Sequence, residues 1–97
     1  MAFKVEVSPE AKQDVRTAFD WYKERSAKAA NAFRAEVLSV FDLIAQDPNC
    51  WGRTEESVHR FVMKRYPYTV YFEIGMTAIR ILAVGHHRRL PGHWAGR

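Results

Sequence analysis

No acidic residue follows Glu73. The 97-residue chain carries fifteen Lys and Arg against eleven Asp and Glu, a formal net charge of +4. Residues 1–73 hold all eleven acids and eleven of the bases, so as a block they are neutral. The remainder adds Arg80, Arg88, Arg89 and Arg97 with nothing to offset them. An asymmetric basic segment suits a polyanionic or acidic partner, such as nucleic acid or an acidic protein surface. The plainer alternative is a solvated tail that serves solubility.

Cysteine is nearly absent too. The single Cys50 excludes an internal disulfide framework and fits a reducing compartment, so a cytoplasmic location is expected. Cys50 lies in the loop-like stretch Asp47-Pro48-Asn49-Cys50-Trp51-Gly52, where an incidental thiol is a simpler reading than a reactive one. No run approaches the ~20 apolar residues of a membrane span, and no charged-then-apolar signal opens the sequence. No membrane partner is expected. Of the four histidines, His86 and His87 are adjacent and cannot easily face one ion, and no Cys or acid stands at ligand spacing. Neither metal nor cofactor is expected.

The residues present are enough for one core. Ninety-seven residues make one domain (1–97), and 47% apolar with 27% charged residues is ordinary for a globular chain. Phe3-Lys4-Val5-Glu6-Val7 alternates with period two, a half-buried strand. Ser8-Pro9-Glu10 then supplies a cap, a proline at the first helical position and an acid in the first turn. Ala11, Val15, Ala18, Phe19 and Tyr22 continue at helical spacing to about residue 25. Ser26 can cap a second helix with Ala30, Phe33, Val37, Val40, Phe41 and Ile44 on one face, ended by Pro48. The short link makes the two helices an antiparallel hairpin.

Strands dominate the second half of the chain. Val58–Met63, Tyr68–Ile74 and a last run from Ala78 are joined by short connections, an antiparallel meander. The first strand must join this sheet to satisfy its backbone. The expected class is α+β in the order β-α-α-β-β-β, with the hairpin on one face of a mainly antiparallel sheet of about four strands. The other face is then either polar and wet or kept for a partner. In the last strand Ile79, Ile81 and Ala83 would alternate with Leu82 and Val84, feeding both faces of a central strand. Gly85 is expected to break it, leaving a basic tail over 85–97 with His86-His87-Arg88-Arg89, the turn Pro91-Gly92, and then His93 and Trp94.

Two stretches, Arg60–Tyr71 and Val84–Trp94, carry a resemblance in the right order around the right elements. One is a basic, aromatic, Pro-Tyr strand; the other has a His-x-Arg-Arg-x-Pro-x-x-Trp-like character. Together with β-α-α-β-β-β they resemble the RelE/ParE superfamily, the toxins of bacterial type II toxin–antitoxin pairs, over nearly the whole chain. The tail is similar to the ParE-like branch.

The resemblance implies a growth-inhibiting toxin neutralised by a cognate antitoxin, expected to be ParD-like, in a hetero-oligomeric complex. An acidic helical segment of that antitoxin would lie along apolar grooves by the helical hairpin and the sheet. ParE-like toxins inhibit DNA gyrase without known chemistry of their own. RelE-like toxins cleave mRNA on the ribosome, using lysines and arginines around the middle strands, an arginine after the last strand and a terminal tyrosine. On that pattern Lys64 and Arg65 fall near the basic cluster, His87 or Arg88 at the post-strand arginine, and His93 at the tyrosine. The middle-strand arginine falls on Thr69, which counts against a nuclease.

RNA cleavage needs a proton acceptor, a proton donor and cations around the charged phosphorane. Histidine ordinarily titrates near neutral pH and suits such work. If the chain is a nuclease, its catalytic residues are therefore expected to be His87, Arg88 and His93. Target binding is expected from Lys64, Arg65, Arg88, Arg89 and Trp94. Trp94 and Tyr66 could stack on bases, although an apolar latch onto the domain is the simpler role for Trp94. On balance the resemblance favours gyrase inhibition over cleavage.

Overall fold

A computed structural model describes residues 3–47, 52–53 and 58–87, the side chains of 52 and 53 excepted. The order of elements is β1 (Lys4–Val7), α1 (Pro9–Lys23), α2 (Ala27–Gln46), β2 (Gly52–Arg53), β3 (His59–Val62), β4 (Tyr68–Ile74) and β5 (Ala78–His86). The sheet has five strands in the order β1-β5-β4-β3-β2. Neighbours run antiparallel except β1 and β5, which are parallel. The fifth strand, β2, replaces part of the expected loop. At two residues it is too short to carry an alternation that could be read in advance. Cys50 lies outside the described residues.

Both helices begin as their sequences dictate. Ser8 adopts an extended backbone, and its hydroxyl oxygen accepts from the Ala11 N–H at 3.1 Å. Pro9 follows where a missing N–H costs nothing, and Glu10 and Lys23 sit at the ends that the helix dipole favours. Ser26 caps α2 in the same way through the Ala29 N–H. The apolar face of α2 is as spaced: Ala30, Phe33, Val37, Val40, Phe41 and Ile44 are all buried. Phe33, Val37, Val40, Phe41 and Ile44 share one core cluster with Val70 and Phe72 of β4 and Ile79 and Ile81 of β5.

The expected alternation along β5 fails at one place. Tyr71 is opposite Ala83 but Phe72 is opposite Ile81, so Leu82 is an extra residue in the ladder. This bulge resets the pleat. Ile79, Ile81 and Val84 therefore face the helices, while Leu82 and Ala83 join Val58 and Tyr71 in a second cluster. Gly85 does not end the strand either. It pairs with Thr69, and β5 continues to His86 opposite Tyr68.

The sheet face away from the helices is neither wholly polar nor wholly apolar. Glu6 and Glu73 flank Arg80 in register at one end, and the Val58–Tyr71–Leu82–Ala83 cluster occupies the middle. Val62 lies on the same face as Tyr71, half exposed.

Candidate functional site

Three segments meet at one end of the sheet: the turn between β3 and β4, the end of β5 and the C-terminal half of α1. Backbone hydrogen bonds fix the first two. The Met63 N–H donates to the Tyr68 carbonyl at 3.0 Å, and the Tyr68 N–H donates to Tyr66 across Pro67 at 2.8 Å. The His87 N–H donates to the Pro67 carbonyl at 2.8 Å, tying the end of β5 to that turn. Lys64, Arg65 and His87 are all exposed there. Three of the residues singled out in the sequence are thus brought to one end of the sheet. Arg88, Arg89, His93 and Trp94 lie outside the described residues.

Beneath them is a cluster of rings that the sequence alone does not join. Tyr22 packs on Phe33 with centroids 5.0 Å apart, and Tyr66 stands edge-on to both, at 5.7 and 5.2 Å. Tyr68 meets Phe33 at 5.4 Å and His86 at 5.2 Å. Edge-to-face and tilted pairs at these separations are the favoured arrangements for quadrupolar rings. Burial first, then proximity of Tyr68 and Tyr66, raises the Tyr22 hydroxyl above its ordinary pKa of 10.0. Tyr66 is half-buried in this cluster, which makes it a packing residue rather than an open platform for a base.

The exposed end of the cluster is Trp21. Its ring meets Tyr22 edge-on, and the Arg25 guanidinium lies 3.5 Å from its centroid. Arg25 Nη1 also donates to the Trp21 carbonyl at 2.8 Å. The spacing of four residues was the available signal, since it puts Trp21 and Arg25 on one helical face. A groove of about 390 Å³ runs from Trp21 and Tyr22 past Pro67 and Tyr68 to His86, with Thr17 on its wall. At its β5 end Asp14 Oδ2 accepts from the Val84 N–H at 3.0 Å.

A second groove of about 430 Å³ lies on the other flank of α1, between it and α2. Lys12, Val15, Arg16, Phe19, Asp20 and Lys23 line it from α1 and Arg34 from α2. Charge totals hide it, because residues 1–73 sum to zero while these cations share one surface.

The sequence matches, over residues 5–91, the family described as the ParE toxin of the type II toxin-antitoxin system, parDE. The chain belongs to that family. No curated protein matches the sequence significantly. Among solved structures, a chain of the chromosomal ParDE TA system from P. aeruginosa superposes with a TM-score of 0.76 at 21% identity. That likeness covers 88% of this chain and 96% of that one. A chain of the toxin-antitoxin complex RelBE2 from Mycobacterium tuberculosis superposes with a TM-score of 0.59 at 20% identity, covering 89% and 99%. At such identities the likeness is one of fold, and it extends to both the ParDE and the RelBE systems.

Proposed function

We propose that this ParE-family toxin arrests growth by inhibiting DNA gyrase, and that a cognate ParD-like antitoxin neutralises it in a hetero-oligomeric complex. Its place of action is then the cytoplasm, where gyrase works. Membership of the parDE family over residues 5–91 supports the pairing with an antitoxin. The observation that carries the choice of target is Thr69. Where the RelE-like pattern has an arginine, this chain has a neutral side chain, 5% exposed, paired across to Gly85. A buried hydroxyl cannot deliver the cationic charge that a phosphorane transition state demands. Lys64, Arg65, Arg88, Arg89 and Trp94 then serve to bind the target.

One observation favours the alternative of a ribosome-dependent mRNA endoribonuclease. The hydrogen bond from His87 to Pro67 holds an exposed imidazole at the same end of the sheet as Lys64 and Arg65. In that reading His87, Arg88 and His93 carry the chemistry. Two assays on the same preparation separate the readings: gyrase supercoiling with purified toxin, and primer extension on mRNA during toxin expression. Inhibited supercoiling with intact mRNA is the expected result. Codon-phased cuts together with unimpaired supercoiling would overturn it.

A further inference from the structure

We propose that residues 88–97 double back across the helix-free face of the sheet, where Leu90 and Trp94 seal the strip of Thr69, Tyr71, Leu82 and Ala83. The face is then closed by the chain itself, and Arg88 and Arg89 are held beside Lys64, Arg65 and His87. That second part rests on the target reading above, whereas the cover does not.

This face is buried more deeply than the described elements provide for. Alternation along β4 and β5 sets Thr69, Tyr71, Ala83 and Gly85 opposite to the helix-facing Val70, Phe72 and Val84. Thr69 is 5% exposed, Leu82 7% and Ala83 0%. Among the described residues, the apolar cluster here holds only Val58 and Tyr71 besides Leu82 and Ala83. Thr69 has less shelter still. Its cross-strand partners are Gly85, which has no side chain, and Val62, which is half exposed. The burial belongs to a single chain, so neither a second copy nor another partner supplies it.

Composition and register select the segment. Thr54-Glu55-Glu56-Ser57 carries no apolar side chain. Gly52 pairs with Arg60, so the position before it alternates to the face of Phe61, on the side of the helices. Residues 88–97 bring Leu90 and Trp94. β5 gives way to a turn at His87, whose N–H is held by the Pro67 carbonyl at 2.8 Å. From that anchor Ala83 lies four residues back, about 13 Å at ~3.3 Å per residue. Trp94 lies seven residues on, with a reach of up to about 23 Å. Gly85 stands between them, and a glycine inside a strand is where another backbone can approach closely. Trp94 is then a positioning residue that acts on the target through the arginines it holds.

Proton NMR of the full parent chain reads the contact directly. Nuclear Overhauser effects are expected from the Trp94 indole and the Leu90 methyls to Thr69, Tyr71, Leu82 and Ala83. Absence of all such contacts overturns the strap, and so do contacts from the Trp51 indole in their place. Contacts that fade on dilution would mark a second copy and also overturn it. In the supercoiling assay Trp94→Ala should raise the half-inhibitory concentration about tenfold although both arginines remain, because they are no longer held in place. Trp94→Phe should restore inhibition to within threefold of the parent. If Trp94→Ala fails to fold by circular dichroism, Leu90→Ala carries the same comparison. Equal inhibition by the parent and the alanine variant overturns the role given to the arginines. A parent that leaves gyrase uninhibited removes the target reading, while the Overhauser contacts decide the strap on their own.

Discussion

The Asp14 carboxylate accepts the Val84 amide at 3.0 Å, joining the first helix to the last strand. Its place is set by the length of β1. That strand accompanies β5 only as far as Ile81, where the Ser8 N–H takes the Ile81 carbonyl and the Ser8 hydroxyl donates to Leu82. Beyond the bulge no β1 residue remains, and α1 supplies the acceptor instead. A backbone donor at this depth needs a partner.

Asp14→Ala should cost about 1–3 kcal/mol, the range for leaving a part-buried donor unmatched or losing a bond to a charged group. Asp14→Asn keeps an acceptor and should lose less. Amide hydrogen exchange read at Val84 checks the assignment. Protection there should fall in Asp14→Ala more than the global stability change explains.

Core truncations test the register of α2. Phe33→Ala and Ile44→Ala empty fully buried sites and should each cost about 2–5 kcal/mol in urea unfolding. Phe41, at 8% exposure, should fall at the lower end of that range. Wild-type midpoints for Phe33→Ala and Ile44→Ala would mean that the helix faces the sheet differently.

The tyrosine cluster gives an alkaline signature. The folded state raises the Tyr22 hydroxyl above 10.0 through burial, with Tyr68 and Tyr66 adding to it. Below pH 10 the phenol is neutral whether the chain is folded or not, so its contribution is constant. Above that the unfolded chain ionises first, and stability falls as pH climbs toward the folded-state pKa. Tyr22→Phe removes this linkage. Its stability should decline less steeply above pH 10 than the parent's, measured by denaturant titration at stepped pH.

The tail separates binding from chemistry. For a gyrase inhibitor, Arg88→Ala and Arg89→Ala should weaken inhibition, while His87→Ala and His93→Ala change it little because no proton moves. For a nuclease the order reverses, and loss of an acid–base histidine lowers cleavage by roughly 10²–10⁴-fold. Dose–response curves for the four variants in the supercoiling and primer-extension assays decide between these patterns.

Much of this architecture is legible in the residues. The α2 face can be read because six apolar positions repeat at helical spacing and every one is buried. Both serine caps can be read because Ser-Pro-Glu and the lone Ser26 stand where a helix needs an acceptor. The bulge cannot, since Leu82 and Ala83 are both apolar and fit either pleat. Gly85 misleads for a related reason. As a residue without a side chain it looks like a break, yet opposite Thr69 it continues the ladder. The groove on α1 is hidden when charge is summed along the chain, whereas the surface gathers Lys12, Arg16 and Lys23 with Arg34 from the next helix. Of the expected target-binding residues, Lys64 and Arg65 share a turn by adjacency alone. That His87 joins them depends on Pro67, whose carbonyl its amide seeks.

The parallel pairing of β1 with β5 has a consequence for how the molecule comes into being. Val5 meets Ile79, and Ser8 reaches Leu82, a partner 74 residues away in sequence. β5 is also the strand on which both β1 and β4 depend. Until it is in place, β1 has no partner and the hairpin of helices has half a floor. Assembly must therefore close a loop of almost the whole domain before most of its contacts are repaid, an entropic hurdle that makes such topologies slow. Folding should be all-or-none and late. A chain cut off before Ala78 should be a proteolytic substrate with no residual native sheet, so a fragment of the toxin cannot be a weaker toxin.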